Sequence, residues 1–419
     1  MRLAYLGLAI LSWPLTLATI LQNGQIKDNP YPGQAPVIAL DESWRNYGAD
    51  VPEIAYKGRW DSQHISCTLM MSSKRMLNVL TPKFLIRILL TIRAPGIKLQ
   101  FSGKKLAISF GPQTNEGTLV AYRLGNLDWQ YSNVTADATY QFIGDWTELD
   151  EGLVNVQKTF EMRAGVSTGS NYELTVPPKF QKKVEIIGGS IASGQYGSYE
   201  TLSSWAYLFV AGLGNVEHTL TSYAGACLVD QQCYDGHARG MTWYWHRASD
   251  PGSRSRQIWP EEPEIFDNSA EQPADLVLIQ MGGNDFRHPN EIPGRNFYHA
   301  YVELIEDIHK TWPNAIVLIV SQWWVWRKEG LNYNPSMAYE QEGRDVHEHF
   351  KDRGFVYYFD TTGILQHNDI NPMNHPTDVG HIKLASHLLQ WTKLVLRWNL
   401  EPLGEVQHGT LYWNDMQDY

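Results

Sequence analysis

Positive charge is in short supply in this chain: 34 lysines and arginines stand against 45 aspartates and glutamates, a formal net charge of -11 at pH 7. Nucleic acid and anionic membrane surfaces both require a basic face, so neither is expected as a partner, and neutral ligands suit the protein better. Long apolar runs are missing after the amino-terminal segment, which leaves no later stretch able to cross a bilayer. Cysteine is scarce too, with three residues in all. Cys227 and Cys233 are close enough in sequence to close a small ring, worth about 2–3 kcal/mol if unstrained, and Cys67 is left over. The histidines offer no metal-binding face: His381 and His387 follow His375 at intervals of six, about 240° apart per step on a helix. No metal or other cofactor is expected. The acidic run Glu261-Glu262-Pro263-Glu264 reads as a solvated loop, without paired-carboxylate glycosidase chemistry.

Aromatic residues, by contrast, are plentiful, with 16 tryptophans and 22 tyrosines. Most belong in a core, but amphipathic rings also suit sugar faces. The amino terminus has the form of a secretory signal: Met1-Arg2, then an apolar run from Leu3 to Leu21 broken at Pro14, with small residues near Ala18. A cleaved segment of residues 1–18 and an extracellular protein are expected. The sequon Asn133-Val134-Thr135 is a glycosylation candidate.

Two patterns divide the rest. From about Ile97 to Val176 the chain alternates with period two in short runs, Ile97–Phe101, Leu106–Phe110, Thr118–Tyr122, Thr139–Phe142 and Tyr172–Val176, which predicts an all-β sandwich domain over residues 28–178. Pro177-Pro178-Lys179-Phe180 reads as a linker. Residues 181–400 instead alternate fully apolar strands with helix-length segments, which predicts an α/β domain whose parallel sheet is covered on both faces. Residues 401–419 form a tail. One segment fits neither half: Cys67–Ile92 is rich in methionine and basic residues, and reads either as an unusual surface element or as a foreign insert.

Chemistry concentrates after the strand Val184–Ile187. Gly188-Gly189-Ser190 closes that strand with a tight turn, presenting a hydroxyl at its carboxyl end with helical N–H donors beside it. Gly225, Gly282-Gly283-Asn284 and Trp323–Trp326 each follow a predicted strand, so the rule for parallel sheets places them on the same rim. Ser190 needs a base, and His375, followed by Pro376 just ahead of the last helix, can supply one. The N–H groups of Ser190 and Gly225 with the Asn284 amide would aim donors at one developing oxyanion. Trp323, Trp324 and Trp326 are candidates for a sugar platform at the mouth. His381 and His387 read as structural.

The ordered set Ser190, Gly225, Asn284, His375 resembles the four blocks of the SGNH (GDSL-like) hydrolase superfamily. With an all-β region ahead of it, the chain looks like carbohydrate esterase family two and its fungal secreted relatives, which remove acetyl groups from plant polysaccharides. The resemblance covers roughly residues 97–400. It implies a jelly-roll sandwich followed by a three-layer α/β/α domain, an acetylated polysaccharide or oligosaccharide as substrate, and a secreted monomer. Two positions depart from the family: Gly189 stands where an aspartate precedes the nucleophile, and Pro372 where an acidic residue precedes the histidine. The imidazole is then oriented by a backbone carbonyl, by Asp369 or Asp378, or by nothing; the resemblance implies a Ser-His dyad with a backbone carbonyl in that role, and the positions of Asp369, beyond two turn residues, and Asp378, at the start of the last helix, make neither the expected triad acid. Two other readings compete: a carbohydrate-binding protein on a decayed esterase scaffold, and an α/β-hydrolase lipase, which is disfavoured because that fold places several strands of the same sheet before its nucleophile.

Overall fold

A computed structural model gives the fold and describes residues 179–247 and 265–400, with pieces of the earlier chain, chiefly 35–42, 44–48, 51–57, 68–72, 96–101, 105–111, 118–124, 129–147, 158–163 and 174–175. The expected signal segment 1–18, Cys67, residues 73–92, the acidic run 261–264 and the tail 401–419 lie outside the described residues.

Among the described residues, after a short hairpin at Leu21–Gln22 and Gln25–Ile26, ten strands form the two sheets of the first region: β1 Trp44–Gly48, β2 Ala55–Lys57, β3 Thr68–Ser72, β4 Gly96–Phe101, β5 Leu106–Ser109, β6 Thr118–Leu124, β7 Gln130–Val134, β8 Thr139–Ile143, β9 Lys158–Arg163 and β10 Leu174–Thr175. They build two antiparallel sheets, β8-β5-β3-β1 and β10-β4-β9-β6-β7, with β2 also paired to β4. Alternation explains the packing. Along β4, Ile97, Leu99 and Phe101 turn inward and are almost fully buried, and they meet Leu106, Ile108, Tyr140 and Phe142 of the other sheet in one core. This is the expected sandwich. One expectation changes: Thr68–Ser72, the beginning of the atypical segment, lies inside a sheet, paired with Leu106–Ser109 on one side and Trp44–Gly48 on the other. Those five residues belong to the sandwich and are not foreign to it.

The second region is a five-stranded parallel sheet of β11 Lys182–Gly188, β12 Val216–Ser222, β13 Leu276–Gln280, β14 Ile316–Val320 and, after a hairpin of β15 Gln322–Glu329 and β16 Asn332–Ala338, β17 Val356–Phe359. Its order is β12-β11-β13-β14-β17. The strands are apolar throughout because both faces are covered. Ile187, Val277, Ile279, Val317 and Ile319 point to the side packed by α2 (Gly294–Thr311) and α3 (Glu340–His349). Val184, Ile186, Leu276, Leu278 and Leu318 point to the side of α1 (Trp205–Leu213) and α4 (Asp378–Trp391). The result is a three-layer α/β/α domain. Strand order reverses direction at β11, so the crevice for a ligand opens at the carboxyl end of that strand, where Ser190 follows.

Candidate active site

Gly188 ends β11, where any side chain would collide with Ala192, whose Cβ lies 2.4 Å from the position a Cβ would take. The turn therefore needs glycine there. It is fixed by Ser193 N–H donating to the Gly189 carbonyl at 3.0 Å and by the Ser193 hydroxyl and Gln195 N–H donating to the Ser190 carbonyl at 2.9 and 3.0 Å. Ser190, half-buried, is left with its hydroxyl facing His375: Oγ and Nε2 are 2.7 Å apart.

His375 sits in the loop before α4. Its other ring nitrogen, Nδ1, is 2.8 Å from the main-chain carbonyl of Met373. A carbonyl only accepts, so the proton resides on Nδ1 and Nε2 is free to take one from Ser190. Burial holds the imidazole below its usual value, the Met373 carbonyl opposes that shift, and the positive charge of Arg287 adds to it. Tyr196 packs against the imidazole in a T-shaped contact, ring centroids 5.0 Å apart. Neither nearby aspartate reaches the histidine. The buried Asp369 carboxylate takes Lys383 Nζ at 2.9 and 2.8 Å and Gln366 N–H at 2.8 Å, while Asp378 accepts from Ser198 N–H at 2.9 Å.

Asn284 occupies a one-turn helix, Gly283–Phe286, after β13, with Gly282 at φ 122° making the entry that a side chain would strain. Its Nδ2 donates to the Ala226 carbonyl at 2.9 Å, leaving the second amide proton unused, and lies 3.6 Å from where a Gly189 Cβ would stand. The loop bearing Gly225 is drawn to the same place by Tyr223 N–H, which donates to the Gly188 carbonyl at 3.0 Å. Among the described residues the N–H groups of Ser190 and Gly225 donate to no backbone carbonyl. The structure thus brings Ser190, Gly225, Asn284 and His375 together at one rim.

That rim is held by the expected disulfide and by groups the sequence did not single out. Asp285, fully buried, accepts from Leu228 N–H and Val229 N–H at 2.9 and 3.0 Å and so ties the Asn284 turn to the Gly225 loop. Burial pushes its carboxyl up to about 6, against the pull of those donors. The Cys227–Cys233 disulfide closes the same loop, and Asn290 Nδ2 lies 3.1 Å from Cys233 Sγ and 2.8 Å from the Asn284 carbonyl. The Gly-Gly-Asn-Asp run was the available signal for Asp285. A backbone carbonyl behind His375 was expected from the resemblance, but nothing pointed to that of Met373, because a main-chain acceptor leaves no mark on residue identity.

The tryptophans divide. Trp323 is 3% exposed and its Nε1 donates to the Asn374 carbonyl at 3.1 Å, so it offers no face to a ligand and braces the histidine loop instead. Trp324 and Trp326 remain half-buried on the hairpin, Trp324 beside Phe286 with ring centroids 5.5 Å apart. His381 is buried with Nδ1 accepting from Trp205 N–H at 3.0 Å, and burial presses it down to about 4; His387 is exposed on α4. Among the described residues no cluster of histidine, cysteine or carboxylate side chains has the make-up of a metal site. Asn133 is exposed on β7.

Residues 186–382 match the model of the GDSL-like Lipase/Acylhydrolase family. Among solved structures, the chain is similar to a family two carbohydrate esterase from Cellvibrio japonicus, at 13% identity and TM-score 0.61 over 85% of this chain and 99% of that one. It is also similar to a family two carbohydrate esterase from Clostridium thermocellum solved in complex with cellohexaose, at 16% identity and TM-score 0.56 over 83% and 100%. A third is the acetyl xylan esterase Est2A from Butyrivibrio proteoclasticus, at 14% identity and TM-score 0.59 over 85% and 99%. At such identities the likeness is one of fold. No curated protein matches the chain.

Proposed function

We propose that this chain, whose residues 186–382 are a GDSL-like lipase/acylhydrolase domain, is a serine esterase that removes acetyl or other short acyl groups from a polysaccharide. The observation that carries the reading is the Ser190 Oγ to His375 Nε2 contact of 2.7 Å, with Nδ1 anchored on a main-chain carbonyl. Ser190 attacks the acyl carbonyl as His375 takes its proton, and the N–H groups of Ser190 and Gly225 with the free proton of the Asn284 amide receive the oxyanion. Collapse expels the sugar hydroxyl, which takes the proton from Nε2, and leaves an acyl group on Ser190. Water, activated by the same histidine, then releases the acid and restores the serine. Two catalytic groups suffice, as a dyad.

A carbohydrate substrate is supported by the fold shared with the family two carbohydrate esterases and by the aromatic rim of Tyr196, Phe286, Trp324 and Trp326. Secretion is supported by the amino-terminal pattern and the disulfide. The test is acetate release from acetylated xylan alongside hydrolysis of 4-nitrophenyl acetate. The reading expects both. Sugar binding without either release would establish the non-catalytic alternative.

A further inference from the structure

An imidazole oriented by a carboxylate is held by a charge, but one oriented by a main-chain carbonyl is only as well placed as the turn that carries the carbonyl. Here that turn is organised by one side chain. Asn371 Oδ1 accepts from Met373 N–H at 2.9 Å and from His375 N–H at 3.2 Å. Its own N–H donates to the His375 carbonyl at 2.8 Å, and its carbonyl accepts from Asn374 N–H at 3.0 Å. Pro372, between them, has no N–H to compete for Oδ1 and a ring that fixes φ. Asn374 adopts a left-handed φ of 60°, and its two acceptors are held from outside by Trp323 Nε1 at 3.1 Å and Trp326 N–H at 3.3 Å. The residue before and the residue two before His375 are therefore both pinned.

We propose that Asn371 is the positioning residue for the His375 imidazole, doing through the main chain what the absent triad carboxylate does directly. The proposal rests on the reading of His375 as the base. By gripping the N–H groups of both Met373 and His375, the Asn371 side chain fixes the peptide planes on either side of the one that carries the Met373 carbonyl, whose own N–H, that of Asn374, is held by the Asn371 main-chain carbonyl; together these aim the Met373 carbonyl at Nδ1. The proline that displaced the acid is part of the device, since it stiffens the turn Asn371 ties.

The test is a set of two variants read by kinetics and by nitrogen NMR of the labelled histidine. Asn371→Ala should lower kcat by about 10–100-fold with KM changed less than about threefold, because ground-state contacts are untouched. The His375 resonances should move from a single Nδ1–H tautomer to a mixture. Asn371→Asp keeps the accepting oxygen and the shape, and should recover most of the lost turnover. Its added negative charge should also move the acid limb of the rate profile to higher pH, while the single Nδ1–H tautomer returns, which a residue that does not position the ring would not restore. Arg287 and His381 are the other charged or titratable groups whose fields couple to His375, and neither variant alters them. An Asn371→Ala protein with unchanged kcat and an unmixed tautomer overturns the proposal, as does an Asn371→Asp protein that folds but is no more active than the alanine variant. If the wild type shows no Ser190-dependent hydrolysis, the esterase reading fails, while the tautomer measurement still decides what Asn371 holds.

Discussion

In the proposed mechanism His375 carries the proton traffic, so its affinity for a proton decides where on the pH axis the protein works. A base acts when neutral: activity is full above its pKa and is lost as pH falls through it. Burial and the Arg287 charge both push that pKa below the ordinary 6.5, so the acid limb of kcat/KM is expected below pH 6.5. Replacing Arg287 with glutamine removes one of the two pushes and should move the limb to higher pH, most clearly at low ionic strength. A limb that stays in place would show that burial alone sets the value. The aspartates give the complementary check. A true triad acid costs about 10⁴ in turnover when changed to its amide, but Asp378 is occupied with Ser198 N–H, so Asp378→Asn should cost less than about tenfold in kcat. A loss of thousands-fold would reveal a triad.

Two loops, the Gly225 loop after β12 and the Asn284 turn after β13, must keep a fixed distance for an oxyanion to be received between them. Asp285 is the strut. Its folded-state pKa is raised from 3.8 to about 6, so the native state binds the proton more tightly than the unfolded chain does. That stabilisation, on the order of 3 kcal/mol at most, is present below the unfolded value and is lost as pH rises through about 6. Measured as Tm, the wild type should therefore gain on Asp285→Asn as the pH is lowered from 7.5 toward 4.5. A constant difference between the two would contradict the assignment. The strands and helices that carry these loops were legible: β11, β13, β14 and β17 are apolar runs of strand length, and α2 has its buried residues on one face. The hairpin β15–β16 was not, because Trp323–Trp326 followed a strand and read as loop, although the turn at Gly330, φ 63°, marks it. Nor were β7 and β9 foreseen. Gln130–Val134 mixes buried Tyr131, Ser132 and Val134 with exposed Gln130 and Asn133, a pattern that strict alternation does not select.

At the scale of the whole molecule the two regions are not independent. Tyr131 of the sandwich stacks on Tyr199 at 4.6 Å, in the segment that runs on from Ser190, so the β region helps seat the loop that follows Ser190. The order of the two regions was legible from the switch in period from alternation to buried runs, but the reach of the sandwich into residues 68–72 was hidden by the basic, methionine-rich composition around it. Removing residues 67–92 deletes an interior strand of the β8-β5-β3-β1 sheet and should lower Tm and yield of folded protein. A deletion variant with unchanged Tm would return that segment to the status of an insert. The claim on which everything else depends is that Ser190 is the nucleophile, and the rate of acetyl-ester hydrolysis by Ser190→Ala tests it most directly. The account predicts a fall of at least about 10⁴-fold with an unchanged circular dichroism spectrum, since a half-buried rim hydroxyl contributes little to the core; turnover near the wild-type rate in a folded Ser190→Ala protein would contradict it.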